Sequence, residues 1–168
     1  MKVKNRIIVD CNYVGHACRF AVDSKMKTSK GVKTNVIYGF LQTILNNSQI
    51  FGTNDFIFVW DSKISKRKEI FPEYKKHRHK DMTPEEKQEL EDAYKQFGII
   101  KDEIIGRMGF KNNFMVDGYE GDDLIASIVK NDMENSKFLL YASDHDLYQL
   151  LSENVSMICK KEIYTVKK

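Results

Sequence analysis

The sequence predicts an α/β domain, a mostly parallel central sheet with helices on both faces. Two observations lead there. Short β-rich apolar runs, Ile7-Ile8-Val9, Phe56-Ile57-Phe58-Val59-Trp60 and Phe138-Leu139-Leu140-Tyr141-Ala142, recur with helix-period segments between them, the pattern of buried parallel strands joined by crossover helices. Each run also ends at an acid: Asp10, Asp61 and, after Ser143, Asp144. Strands of one direction deliver such residues to one edge of the sheet, and open α/β sheets bind ligands outside the carboxyl ends of their strands.

Each element follows from local pattern. The first strand spans about Arg6 to Asp10, and a helix through Val14, Ala17, Cys18 and Ala21 follows it. Ser24 to Lys30 is polar and lysine-rich, and reads as a loop. A second helix opens near Thr34 and carries Val36, Ile37, Phe40, Leu41, Ile44 and Leu45 on one wide apolar face. Asn46-Asn47-Ser48 is expected to end it, and the second strand covers Phe56 to Trp60. Residues 62 to 82 are basic and without clean periodicity, so part of this stretch is expected to order only on a polyanion. Thr83-Pro84-Glu85-Glu86 supplies a capping box with proline at the first helical position. Leu90, Ala93, Phe97, Ile100 and Ile104 carry that helix to about Met108. Phe114 to Val116 is a short third strand. The turn Gly118 to Gly121 opens a helix bearing Leu124, Ile125, Ile128 and Val129. After the fourth strand, Phe138 to Ala142, come a short helix with Leu147, Leu150 and Leu151, a fifth strand Val155 to Cys159, and an edge strand Ile163 to Val166.

The 168 residues suit one domain able to bury a sizeable core, with an ordinary 42% hydrophobic and 30% charged composition. A net charge of +3 names no partner. Its distribution says more: eight Lys or Arg lie between Lys63 and Lys80, against only Glu69 and Glu73. That is an electrostatic footprint for polyanions, although a solvated loop would look similar. Three cysteines, Cys11, Cys18 and Cys159, show no CxxC spacing and fit a reducing compartment. No stretch has the length of a membrane span or signal peptide, so a soluble, cytoplasmic protein is expected, with no membrane partner.

Glu120, Asp122 and Asp123 fall in the first turn of a predicted helix. One acid there needs only the helix dipole to explain it, at a few tenths to ~1 kcal/mol. Asp144-His145-Asp146 could likewise be a cap. Three acids in four residues, with a further pair and two strand-end aspartates, are better explained by a cation between them, because converging carboxylates repel. All-oxygen ligands suit Mg²⁺ or Mn²⁺. Beside a basic segment they point to a phosphodiester substrate, with two ions at one site. Lys75 and Arg78 would add positive charge from the other side, and Tyr74 could stack on a base or anchor the loop.

Several motifs occur in order: Asp10 after a strand, Gly31-Val32-x-Thr34-x-x-x-Tyr38-Gly39-Phe40, Trp60-Asp61, Tyr74-Lys75-x-x-Arg78, Gly118-Tyr119-Glu120-x-Asp122-Asp123 and Ser143-Asp144-x-Asp146-Leu147-x-Gln149-Leu150. From Ile7 to Ile158 the chain resembles the 5′→3′ nucleases of the flap endonuclease family, with the 5′ nuclease domain of bacterial DNA polymerase I and the bacteriophage 5′-exonucleases as nearest types. The resemblance implies a PIN-like fold and metal-dependent hydrolysis of DNA, or of RNA in hybrids, to 5′-phosphate products in replication or repair. It implies a bacterial or phage-infected cell as the setting. By position, Asp10, Asp61, Glu120 and Asp122 match the first metal site, with Asp123 adjoining. Asp144 and Asp146 match the side of the second. Lys75 and Arg78 match the base of a helical arch through which single-stranded 5′ ends or flaps pass, and residues 62–108 would form that arch and the helix after it. Arg67, Tyr74, Lys76, Lys33 and Thr34 are implied contacts to the nucleic acid.

The departures are His145, where the family usually has Lys, and Ala17 near the place of an expected Arg, with Arg19 two residues on. Residues 1–168 are expected to be one catalytic domain without the family's helical duplex-binding module and its two further aspartates. The module could come from a partner chain, have been removed or never have existed, and weak binding of a second ion and slow cutting are expected of the chain alone. A haloacid-dehalogenase-type phosphatase is disfavoured because Asn12 stands where its second acid belongs. A toxin-type nuclease would not need the 62–108 insertion. A non-catalytic binder of branched DNA is the remaining alternative.

Overall fold

The structure is a computed structural model and describes residues 4–75, 82–159 and 162–166. Among these residues six strands form one sheet in the order β3-β2-β1-β4-β5-β6: β1 Lys4–Asp10, β2 Phe56–Val59, β3 Asn113–Phe114, β4 Ser136–Tyr141, β5 Val155–Cys159 and β6 Glu162–Tyr164. All pairings are parallel except β5 with β6. The helices are α1 Cys11–Ala21, α2 Asn35–Phe51, α3 Lys66–Ile70, α4 Pro84–Ile99, α5 Ile105–Arg107 and α6 Gly121–Asp132. This is the predicted α/β architecture.

The central strands are apolar on both faces because both faces are covered. Ile7 and Val9 of β1, Phe56 and Phe58 of β2, and Trp60 just beyond it bury against α1, α2 and α4 through Val14, Cys18, Val36, Phe40, Ala93 and Phe97. Ile8, Ile57 and Val59 point the other way, onto Ile125 and Val129 of α6 and Leu147 and Leu150 after β4. Alternation along a strand thus feeds two cores with a single apolar run. The register places Asp10 opposite Val59 and Val9 opposite Tyr141, so the carboxyl ends of β1, β2 and β4 come together at one edge.

Several boundaries differ from the sequence expectation. The α2 helix runs past Asn46-Asn47-Ser48, its two asparagine side chains bonding within the helix: Gln42 donates to Asn46 at 2.9 Å, and Asn47 to the Thr43 carbonyl at 2.8 Å. It stops at Gly52, whose φ of 59° is a left-handed cap that glycine adopts without strain. The long helix after Thr83 keeps its capping box but contains a π-turn at Ile100–Ile104 before α5. The third strand is Asn113–Phe114, and the last is Glu162–Tyr164. The expected helix after β4 is a 3₁₀ segment, His145–Leu150. Within the basic stretch lies a short helix, α3, with no buried residue, N-capped by Ser65. Among the described residues no helix is long and apolar enough to cross a membrane.

Candidate active site

A cavity of about 570 Å³ opens at the carboxyl edge of the sheet, lined by Asp10, Asp61, Glu120, Asp122 and Asp144 together with Asn12, Tyr13, His16, Lys75, Tyr94, Ser143 and His145. Five of the seven acids singled out in the sequence meet there. Asp10 ends β1 and caps α1, its Oδ1 accepting from the Tyr13 N–H at 2.9 Å. Asp61 follows β2; its Oδ1 accepts from the Gly121 N–H at 2.7 Å, and its own N–H donates to Asn12 Oδ1 at 3.0 Å. A Cβ on Gly121 would lie 3.1 Å from that Asp61 oxygen, so glycine lets the carboxylate sit against the start of α6. Asp144 caps the 3₁₀ segment, accepting from the Asp146 N–H at 2.9 Å.

The other two acids stand apart. Asp123 turns back from the cavity: its Oδ2 accepts from the Glu120 N–H at 3.1 Å, and its Oδ1 pairs with Arg67 Nη2 at 2.6 Å. It closes the first turn of α6, which is the helix-start role that an acid at this position can fill without any ion. Asp146 is exposed and outside the cavity lining.

Burial first, and mutual charge after it, set the electrostatics of these acids. Burial pushes Asp10 up to about 7, against the Tyr13 hydrogen bond, and the Asp61 and Asp122 charges add to the rise. Burial and then the Asp144, Asp61 and Glu120 charges push Asp122 up to about 6, with Lys75 opposing. Glu120 goes the other way. Burial would raise it, but Lys75, Tyr74 and Arg67 hold it below the usual carboxylate range.

Those three partners come from the basic segment. Lys75 Nζ lies 2.7 Å from Glu120 Oε1, the Tyr74 hydroxyl donates to Oε2 at 3.0 Å, and Arg67 pairs with the same Oε2. Lys75 has φ 57° and is the one non-glycine residue with positive φ among those described, a conformation that costs of order 1–3 kcal/mol. The segment thus turns sharply to lay cations over the acids. Lys76 and Arg78 lie outside the described residues. Lys33 pairs with Asp92 of α4 at 3.2 Å, and Thr34 caps α2 without a side-chain bond. In the first turn of α2 the Val36 and Ile37 N–H groups donate to Gln96 Oε1 at 2.9 and 3.3 Å. That helix end is filled from α4 and is not part of the acid cavity.

Among the described residues, no three His, Cys, Asp or Glu side chains stand close enough as placed to hold an ion between them. Asp10, Asp61, Glu120 and Asp144 instead each have an oxygen engaged internally. The donor chemistry nonetheless fits a hard divalent cation: five carboxylates line one cavity, and the burial and mutual charge that raise Asp10 and Asp122 are what such an ion would offset. Sequence reasoning missed Asn12, Tyr13, His16 and Tyr94. The first three follow Asp10 directly on α1, so the strand-end aspartate was their only signal. Tyr94 is masked by the apolar stripe of α4.

Residues 5–168 match the family model described as 5′-3′ exonuclease, N-terminal resolvase-like domain. The 5′-3′ exonuclease of Aquifex aeolicus is 35% identical over 144 residues, covering 83% of this chain and 46% of that protein. The thermostable DNA polymerase I of Thermus thermophilus is 31% identical over 154 residues, covering 90% of this chain and 17% of the polymerase. The chain therefore spans less than half the length of these relatives. Bacteriophage T5 D15 protein co-crystallised with metal ions superposes with a TM-score of 0.77 at 24% identity, over 96% of this chain and 58% of that one. The T5 D15 flap endonuclease in a pseudo-enzyme–product complex with DNA and metal ions gives 0.78 at 22% identity, over the same shares. At those identities the structures speak for the fold.

Proposed function

Because this chain belongs to the 5′-3′ exonuclease family through its N-terminal resolvase-like domain, we propose that it carries the catalytic part of a divalent-metal-dependent nuclease. In this reading it hydrolyses DNA phosphodiester bonds near single-stranded 5′ ends or flaps, in replication or repair, and leaves 5′-phosphates. The observation that carries the reading is the convergence of Asp10, Asp61, Glu120, Asp122 and Asp144 on one cavity with Lys75 reaching in from the basic segment.

Asp10, Asp61, Glu120 and Asp122 would hold a first Mg²⁺ or Mn²⁺, and Asp144 with Asp122 would face a second. When bound, two such ions supply Lewis-acid neutralisation of the phosphate and acidify a water toward neutrality. The chain's own contribution is positional. The Gly121 N–H and the Asn12 side chain fix Asp61 between two helix starts. Tyr13 does the same for Asp10. Lys75 pairs with Glu120, and on release of that pair it is placed to donate to a phosphoryl oxygen across the cavity, where a fixed cation favours developing negative charge. Arg67 with Asp123 holds the first turn of α6, and with it the Glu120 and Asp122 carboxylates.

The test is single-turnover cleavage of a 5′-labelled flap with Mg²⁺ or Mn²⁺ by the purified chain and by Asp122→Asn. The wild-type chain should release 5′-phosphate products. The variant should lose cleavage yet bind the DNA equally well or more tightly, because a ligand and one repelling charge are gone. Undiminished cleavage by Asp122→Asn would remove these acids from the chemistry.

A further inference from the structure

Trp60 immediately precedes Asp61 and is almost fully buried, 3% exposed, with its ring stacked on Phe40 at 6.1 Å. A buried indole N–H needs an acceptor. Here it donates to Asn113 Oδ1 at 2.8 Å, and the Asn113 amide donates onward to the Lys101 carbonyl at 2.8 Å. Lys101 lies in the π-turn, where the Ile105 N–H bonds to the Ile100 carbonyl in place of the α-helical pattern. Such turns inside helices are uncommon and tend to occur at functional places. The Trp60 backbone is tied to the same edge, its N–H donating to the Phe114 carbonyl at 2.9 Å. One amide side chain therefore joins three things: the strand end that carries Asp61, the edge strand β3, and the helix that rises from the π-turn to put Tyr94 on the cavity.

We propose that Asn113 is a positioning residue for Asp61. By linking the Trp60 indole to the Lys101 carbonyl, it locks the end of β2 against the foot of α4 and so sets the Asp61 carboxylate for a divalent cation. This rests on the metal-site reading above. Asn113 bonds no acid of the cavity itself; it acts through the Trp60 indole and the backbone that joins Trp60 to Asp61, an outer support of the kind that orients metal ligands.

Calorimetric titration of the whole chain with Mn²⁺ alone, without DNA, provides the test. Asn113→Ala should weaken binding about 10-fold. Trp60→Phe keeps an aromatic ring in the core but removes the N–H together with part of the indole volume; it should show a similar loss and carries the test if Asn113→Ala fails to fold, with the core truncation below as its packing control. The double variant should be no weaker than either single one, because both remove the same link. Ile44→Val, a mild core truncation away from the site, should leave Mn²⁺ affinity unchanged. Affinity within twofold of wild type in either single variant, or losses that multiply in the double, would overturn the proposal. A weakening by Ile44→Val equal to theirs would also overturn it, reducing the effect to general destabilisation. If the wild-type chain takes up no Mn²⁺, the metal-site reading itself falls, and this assignment with it.

Discussion

Asp10→Asn isolates the electrostatic strain of the acid cavity. In the folded chain burial, helped by the Asp61 and Asp122 charges, lifts the Asp10 carboxyl from 3.8 to about 7. The sign of the consequence follows from linkage. Below about pH 4 the group is protonated folded and unfolded, and nothing is lost. Between about pH 4 and 7 the unfolded chain gives up this proton while the folded chain keeps it, so stability falls as pH rises, and above about 7 the full penalty is present. At 1.36 kcal/mol per pH unit the ceiling is about 4 kcal/mol. The open cavity and the coupled titration of Asp122 reduce the expected value to ~1–2 kcal/mol. Asparagine is nearly the same shape, cannot ionise, and can still accept from the Tyr13 N–H as a good N-cap. Urea unfolding in EDTA at pH 5, 6, 7 and 8 should therefore show wild type losing stability with pH and Asp10→Asn staying nearly flat, the more stable of the two at pH 8. Adding Mn²⁺ at pH 8 should reverse that order. If the two proteins follow the same curve from pH 5 to 8 in EDTA, the carboxylates are not in conflict and the cavity has no need of a cation.

Gly121→Ala would bring a methyl group to 3.1 Å from Asp61 Oδ1; Mn²⁺ calorimetry should show weakened binding, and an unchanged isotherm would show that Asp61 has room to give. Lys75→Ala and Arg78→Ala should slow single-turnover cleavage ~10²-fold or more if they stabilise transition-state charge, whereas Lys63→Ala should weaken DNA binding in a salt-dependent way. Equal, purely affinity-based effects at all three positions would reduce the segment to a solvated loop. Gly15→Ala would place a Cβ 2.3 Å from the Phe97 ring, so thermal unfolding should report a loss of about 1–3 kcal/mol from overpacking α1 against α4; a neutral result would mean that the two helices separate without cost.

Much of this was legible because strand-end acids and apolar runs are one-dimensional signals. Asp10, Asp61 and Asp144 could be grouped from sequence once the strands were taken as parallel, since parallel register carries their ends to one edge. Residue type and helix position alone could not tell Asp123 from Asp122. Adjacent positions in a helix turn point about 100° apart, and only packing decided which one faced the cavity and which turned to Arg67. The end of α2 was misjudged at Asn46-Asn47-Ser48 because asparagine signals a turn only while its side chain seeks a backbone partner. Here the helix itself provides one for Asn47. The Trp60–Asn113–Lys101 link had no sequence signal at all. It joins residues brought together by β-pairing and a π-turn, and neither leaves a periodic trace.

The central place of β1 has a consequence for how the chain acquires its chemistry. Val9 pairs with Phe58 on one side and with Tyr141 on the other, so β1 waits for a neighbour far downstream in sequence. Pairings of such long sequence separation form late and slowly. Until β4 arrives, Asp10 and Asp61 lack Asp144 and the segment that carries it. A chain still emerging from the ribosome, or clipped between α4 and β4, would hold acids and basic arm without the assembled pocket. Topology thus makes the complete cavity a property of the assembled sheet, since no stretch of chain short of β4 contains all of its acids.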